Sequence, residues 1–200
     1  LMYLHHLSAA DIEEDHTFYS PYVATLGAES SVRLRFWFKE DQEDEVTVRV
    51  LEEDGTTIST DDEIEASAGV NQYNWNMRYE DAETFDGLIM WAGSVRGPQA
   101  VPGRYQARLI VGDDSTTVSF RIAPDPRSES PLADLQEKFA FQIAVRDKLS
   151  ETHEAVKQIR SLREQIEDVL DRIPEDHAEA DTINGFAEHM LDGMKEVEEA

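Results

Sequence analysis

Pro124, Pro126 and Pro131 fall within eight residues, and that short stretch limits what this chain can fold into more than any other feature. Proline lacks an amide N–H and has a fixed φ, so a segment this rich in it neither pairs in a sheet nor continues as a helix. The hydrophobic period changes across it. Before the prolines, Val32, Leu34, Phe36 and Phe38 alternate with Arg33, Arg35, Trp37 and Lys39, and Val46, Val48 and Val50 alternate with Thr47, Arg49 and Leu51. Tyr73 and Trp75 share one face of Gly69–Asn76, and Tyr105, Ala107, Leu109 and Val111 share one face of Gly103–Val111. Val118, Phe120 and Ile122 follow a Gly112-Asp113-Asp114 turn, and Glu53-Asp54-Gly55 reads as a hairpin turn. About seven half-buried strands in about 95 residues predict an immunoglobulin- or fibronectin-like β-sandwich over 32–123. Trp75 and Tyr105 fall on the inward faces.

After the prolines the period becomes helical. Leu135, Phe139, Ile143, Leu149, His153, Val156, Ile159, Leu162, Ile166, Val169 and Ile173 recur mostly at threes and fours, with no proline or glycine from Leu132 to Ile173. Pro174 ends that helix. A second, near Asp176–Glu199, carries Ala180, Ile183, Ala187, Met190, Met194 and Val197. Residues 132–200 therefore read as a long antiparallel helical hairpin, joined to the sandwich by the linker 124–131. Residues 1–31 read as an extended lead-in whose Phe18, Tyr19 and Tyr22 pack against the sandwich.

Charge narrows the function classes. The chain holds 43 acidic and 18 basic residues, a net charge of −25. Up to residue 124 there are 23 acids against 9 bases, and 20 against 9 beyond it, so the excess is a property of the whole surface and not of a tail. Such a surface argues against a nucleic-acid partner and against anionic lipid. With lysine scarce as well, five against thirteen arginines, it suits concentrated salt, where screening shortens self-repulsion. An ordinary acidic protein is the alternative. No apolar run of about eighteen residues is present, so no membrane span is expected. The chain has no cysteine, which removes disulfides, thiolate metal sites and cysteine nucleophiles. It begins at Leu1 without a signal peptide and reads as a piece of something longer.

Tyr73-Asn74-Trp75-Asn76-Met77-Arg78-Tyr79, Phe85-Asp86-Gly87-Leu88-Ile89-Met90-Trp91-Ala92-Gly93, Gly97-Pro98, Pro102-Gly103-Arg104-Tyr105 and Asp125-Pro126-Arg127 form one long pattern with the run from Phe139 to Arg163. Together they resemble the region that follows the β-propeller in bacterial sortilin-like or BNR-repeat glycosyl hydrolases, over roughly residues 70–165. The resemblance implies a chain secreted, periplasmic or at the cell surface, with its own N-terminal propeller as a partner. In that family the hydrolase label attaches to the propeller, and this chain has no propeller repeat.

The catalytic patterns are unrewarding. Forty-three acids make carboxylate pairs inevitable, so pairing in sequence carries no information about glycoside hydrolysis. There is no G-x-S-x-G elbow, no H-E-x-x-H and no histidine pair at helical spacing. His5-His6 reads as a terminal scrap ahead of a metal clip, and His153 as a hydrogen-bonded residue of the helical seam. No catalytic, cofactor or metal residues are assigned. Trp75, Trp91 and Tyr105 read as core, ahead of an aromatic sugar platform. Trp37, outward between Arg35 and Lys39, is the candidate ligand platform. The helical stripe Leu135, Phe139, Ile143, Leu149, Val156, Ile159, Leu162 and Ile166 is the candidate association face of a homodimer. The expected function is a non-catalytic scaffold or interaction module of a larger propeller protein. A carbohydrate-binding accessory domain is the alternative.

Overall fold

A computed structural model describes residues 16–19, 23–26, 31–62, 64–174 and 177–198. Among the described residues, eight strands precede two helices: β1 (His16–Tyr19), β2 (Val23–Thr25), β3 (Val32–Phe38), β4 (Val46–Glu52), β5 (Thr57–Asp61), β6 (Gly69–Trp75), β7 (Gly103–Val111), β8 (Asp114–Ala123), α1 (Leu132–Leu170) and α2 (Ala180–Glu198). They belong to two compact units, one of residues 1–80 with 97–143, the other of 81–96 with 144–200.

The first unit is a β-sandwich. Its strands form a three-stranded sheet, β1-β3-β6, and a five-stranded sheet, β2-β8-β7-β4-β5. All pairs are antiparallel except β2 with β8, which run parallel. Val32, Leu34, Phe36 and Phe38 of one sheet join Val46, Val48, Val50, Ala107, Leu109, Phe120 and Ile122 of the other in a single buried cluster. Period-two sequences put one apolar face on each sheet, and two such faces bury one another. Trp75 packs its ring against Tyr105 and Phe120, each about 5.9 Å away by ring centroid. Its indole N–H donates to the Arg78 carbonyl at 2.9 Å, which satisfies the polar atom that a buried tryptophan carries inward.

Two readings change in this unit and a third holds. Part of the stretch read as a lead-in is sheet, since β1 pairs with β3 and β2 with β8; Tyr22 lies outside the described residues. Leu51, read as outward by alternation, is buried, because the register of β4 on β5 shifts between Val50 and Leu51 and turns both side chains inward. The Glu53-Asp54-Gly55 turn forms as expected: Gly55 has φ +93°, its N–H donates to the Glu52 carbonyl at 3.0 Å, and Asp54 accepts from the Thr56 amide.

α1 begins in the first unit, where Phe139 and Ile143 pack on the sandwich core and the Phe139 ring lies 4.7 Å from that of Tyr79. Those two members of the expected association face are therefore taken up inside the unit. The helix closes at Leu170, three residues before the predicted end. The Arg172 and Ile173 amides bond three residues back, tightening the last turn ahead of Pro174, whose ring disfavours helical geometry in the residue before it. α2 begins at Ala180, later than Asp176, a position outside the described residues.

Candidate functional site

The connection from β6 to β7 is long, and it is built in two stages. In the first unit Met77–Tyr79 pairs with Pro98–Ala100: the Tyr79 amide donates to the Pro98 carbonyl at 3.0 Å and the Ala100 amide to the Met77 carbonyl at 2.8 Å. Gly97 sits where the two arms close. A β-carbon there would lie 1.9 Å from the Tyr79 carbonyl oxygen, so no side chain fits. Met77, fully buried, holds a left-handed φ of 56°, a strained conformation fixed by its surroundings. The Tyr79 hydroxyl donates to Glu52 Oε1 at 2.6 Å, and the Tyr105 hydroxyl to the Val101 carbonyl at 2.8 Å. Burial raises the pKa of both phenols. Tyr105, also facing the Glu52 charge, is pushed up to about 12, while the hydrogen bond to Glu52 adds to the shift of Tyr79.

In the second unit, residues 81–96 form a loop held at its base by α1. Ser150 Oγ accepts from the Glu83 amide at 3.1 Å, and His153 Nδ1 hydrogen-bonds the Glu83 carbonyl. Lys157 pairs with Glu83 at 3.1 Å. Arg160 donates to the Asp86 carbonyl at 2.9 Å and lays its guanidinium over the Phe85 ring, 4.6 Å from the centroid. The Phe85 ring meets His153 edge-on at 5.2 Å. His153 is thus buried and hydrogen-bonded as expected, but its partner is this loop and not α2. Past that base come nine uncharged residues, Gly87–Val95. They place Ile89, 73% exposed, and Trp91, 96% exposed, at the surface.

Trp91 corrects the core reading directly: the indole is almost wholly in solvent. Alternation predicted Trp75 and Tyr105 correctly because both sit on strands. Trp91 lies on no strand, and the signal that set it apart was the absence of any period between Gly87 and Gly93. Trp37 occupies the outer face of β3, opposite Thr17 and Val70, and is half-buried.

On α1, Leu135, Leu149, Val156, Ile159 and Ile166 are half-buried and Leu162 is exposed. Ala187 of α2 is buried, and Glu198 bonds Arg160 at 3.0 Å and Arg163 at 2.7 Å. Those two guanidiniums hold the Glu198 carboxyl below the usual range, Arg163 the more strongly. Among the described residues, no group of three histidines or carboxylates is placed to hold a metal, and no helix is long and apolar enough to cross a membrane.

No protein-family model matches the sequence, and no curated protein matches it. Among solved structures it is similar to the sulfur carrier protein SoxY from Chlorobium limicola f thiosulfatophilum, 7% identical, covering 55% of this chain and 78% of that one, with a TM-score of 0.26. It is similar also to the human B7-H4 IgV-like domain, 14% identical, covering 56% of this chain and 99% of that one, with a TM-score of 0.31. Overlaps this loose carry no argument about what the chain does.

Proposed function

We propose that this chain is a non-catalytic scaffold and interaction module of a larger sortilin-like, BNR-repeat propeller protein, secreted, periplasmic or at the surface of a bacterium, with its helices mediating association. The observation that carries the reading is the Ile89–Trp91 loop. A tryptophan left almost wholly in solvent forgoes the burial of a large apolar side chain, and tryptophan is among the residues enriched at binding hot spots. The base of the loop is tied to α1 through four side chains, so the indole is presented at little further ordering cost. The sandwich is read as immunoglobulin-like. In support, β2 pairs parallel with the last strand, and Tyr105, near the start of β7, bonds a carbonyl four residues upstream, as in the tyrosine corner of that fold. The helices are read as an antiparallel hairpin, supported by the return of Glu198 to Arg160 and Arg163.

The partner proposed for the loop is the protein's own propeller. Titrating the separately produced propeller into this chain should give saturable binding, weakened at least about tenfold by Trp91→Ala. Absence of binding, or binding indifferent to Trp91, overturns the assignment. The exposed indole also supports a second reading, a sugar-stacking platform in an accessory carbohydrate-binding domain. Binding on a glycan array that is lost in Trp91→Ala would favour it, and a blank array would remove it.

A further inference from the structure

We propose that the second unit pairs with a second copy of this chain through one acid-free edge of its two helices, with Phe186 of each copy seated at Gly193 of the other. The proposal rests on the reading of this chain as an association module and names the surface and the occupant.

The edge is found by placing exposed apolar side chains in register. On the hairpin reading, the ties of Glu198 to Arg160 and Arg163 put Val197 level with Leu162 and Met190 level with Val169. Phe186 then falls beside the end of α1. These five side chains, Leu162, Val169, Phe186, Met190 and Val197, are about half to two-thirds exposed. On α2 the apolar arc is wider than the part that is covered: Ile183, Ala187, Leu191 and Met194 are buried or half-buried, while Phe186, Met190 and Val197 follow one another along the adjoining strip. The open groove lined by Arg163, Glu167, Leu191, Asp192, Lys195 and Glu198 lies on the other side of the seam, and the charges gather there.

Charge selects the occupant. Among the described residues, the helical neighbours three and four residues from these five side chains include Gln158, Gln165, Thr182, His189 and Gly193, and not one carboxylate. Arg172 is the single permanent charge among them, and it pairs with Asp168 at 3.3 Å. In a chain with 43 acids, this edge offers no carboxylate to a basic segment, whereas an identical acidic copy can approach there without juxtaposing like charges. Shape agrees. Gly193 leaves open space where a β-carbon would stand, and it follows Phe186 by seven residues on the same strip. Two α2 helices laid antiparallel about a two-fold axis near Met190 bring each Phe186 against the opposite Gly193. The strip from Phe186 to Val197 is about 17 Å long, and its area falls well below the roughly 800 Å² a side of a standard interface, so the pair is weak and concentration-dependent.

Sedimentation velocity on the whole chain, from about 1 to 300 µM, should show its mean mass rising toward that of a dimer, and rising further with salt as net repulsion is screened. Gly193→Leu puts a better helix former into α2 while filling the hole, so it should keep the helix and weaken pairing at least about tenfold. Because the chain has no cysteine, Met190→Cys should cross-link to its own counterpart under mild oxidant, and Glu188→Cys, on the opposite side of α2, should not. A chain that stays monomeric throughout overturns the pairing while leaving propeller binding to be judged by its own titration. A dimer indifferent to Gly193→Leu, or cross-linked equally through position 188, overturns this edge as the interface.

Discussion

At Gly97 the difference between one hydrogen and one methyl group decides whether the β6–β7 connection can close. The added carbon would lie 1.9 Å from one backbone oxygen and 2.5 Å from another, the carbonyls of Tyr79 and Glu80, and backbone cannot step aside as a side-chain tip can. Gly97→Ala should therefore cost about 2–3 kcal/mol, read as a lower urea midpoint at unchanged slope. A variant as stable as the parent would show that the turn relaxes freely. Tyr105 gives a second test at this scale. Removing its hydroxyl in Tyr105→Phe keeps the ring and loses one hydrogen bond, for about 1 kcal/mol. Its phenol ordinarily titrates at 10.0 and is pushed up to about 12 in the folded chain, so between those values the unfolded state loses the proton first. Stability should accordingly be level below pH 10 and fall as pH rises toward 12, with Tyr79 contributing in the same direction. Urea midpoints across the alkaline range should fall less steeply in Tyr105→Phe; equal slopes would mean that Tyr105 is not the group responsible.

The elements were legible in the sequence to the extent that their side chains obeyed a period. β3, β7 and β8 announce themselves because one face is buried and the other is not, and α1 because nothing in it interrupts the apolar recurrence. β1 and β2 were illegible because four and three residues are too short for any alternation to show. The Asp81–Arg96 loop escaped for a related reason. Its place is set by polar side chains of α1, among them Ser150, His153 and Arg160, bonding its backbone, and such bonds leave no hydrophobic pattern. The same logic divides the helical stripe: Phe139 and Ile143 serve the sandwich core, and His153 serves the loop. The end of α2 depends on charge. The folded pKa of Glu198 lies below its ordinary 4.5, so its contribution is present above that value and is lost as pH falls through the lowered one. Amide exchange should show α2 opening before the sheets on acidification, and Glu198→Gln should remove the difference. Simultaneous opening of helix and sheets would contradict it.

For the molecule as a whole, the net charge of −25 sets the terms on which it folds. Like charges spread over both units repel, and salt shortens the range of that repulsion to a few ångströms. Thermal midpoints should rise steeply between about 0.1 and 1 M KCl and flatten toward 3 M, with glycerol controls separating screening from solute exclusion. A flat response throughout would reject adaptation to salt. The discontinuous second unit has a different consequence, for how such a chain can be inherited. The proline-rich linker looks like the natural place for recombination to cut, yet Asp81–Arg96 lies before it and Ser150, His153, Lys157 and Arg160 lie after it. A descendant that received the sheets alone would carry a loop without its helix, with Phe85 uncovered beside Ile89 and Trp91. The span from Asp81 through Glu198 is therefore the shortest block that shuffling can pass on without breaking the loop from its support.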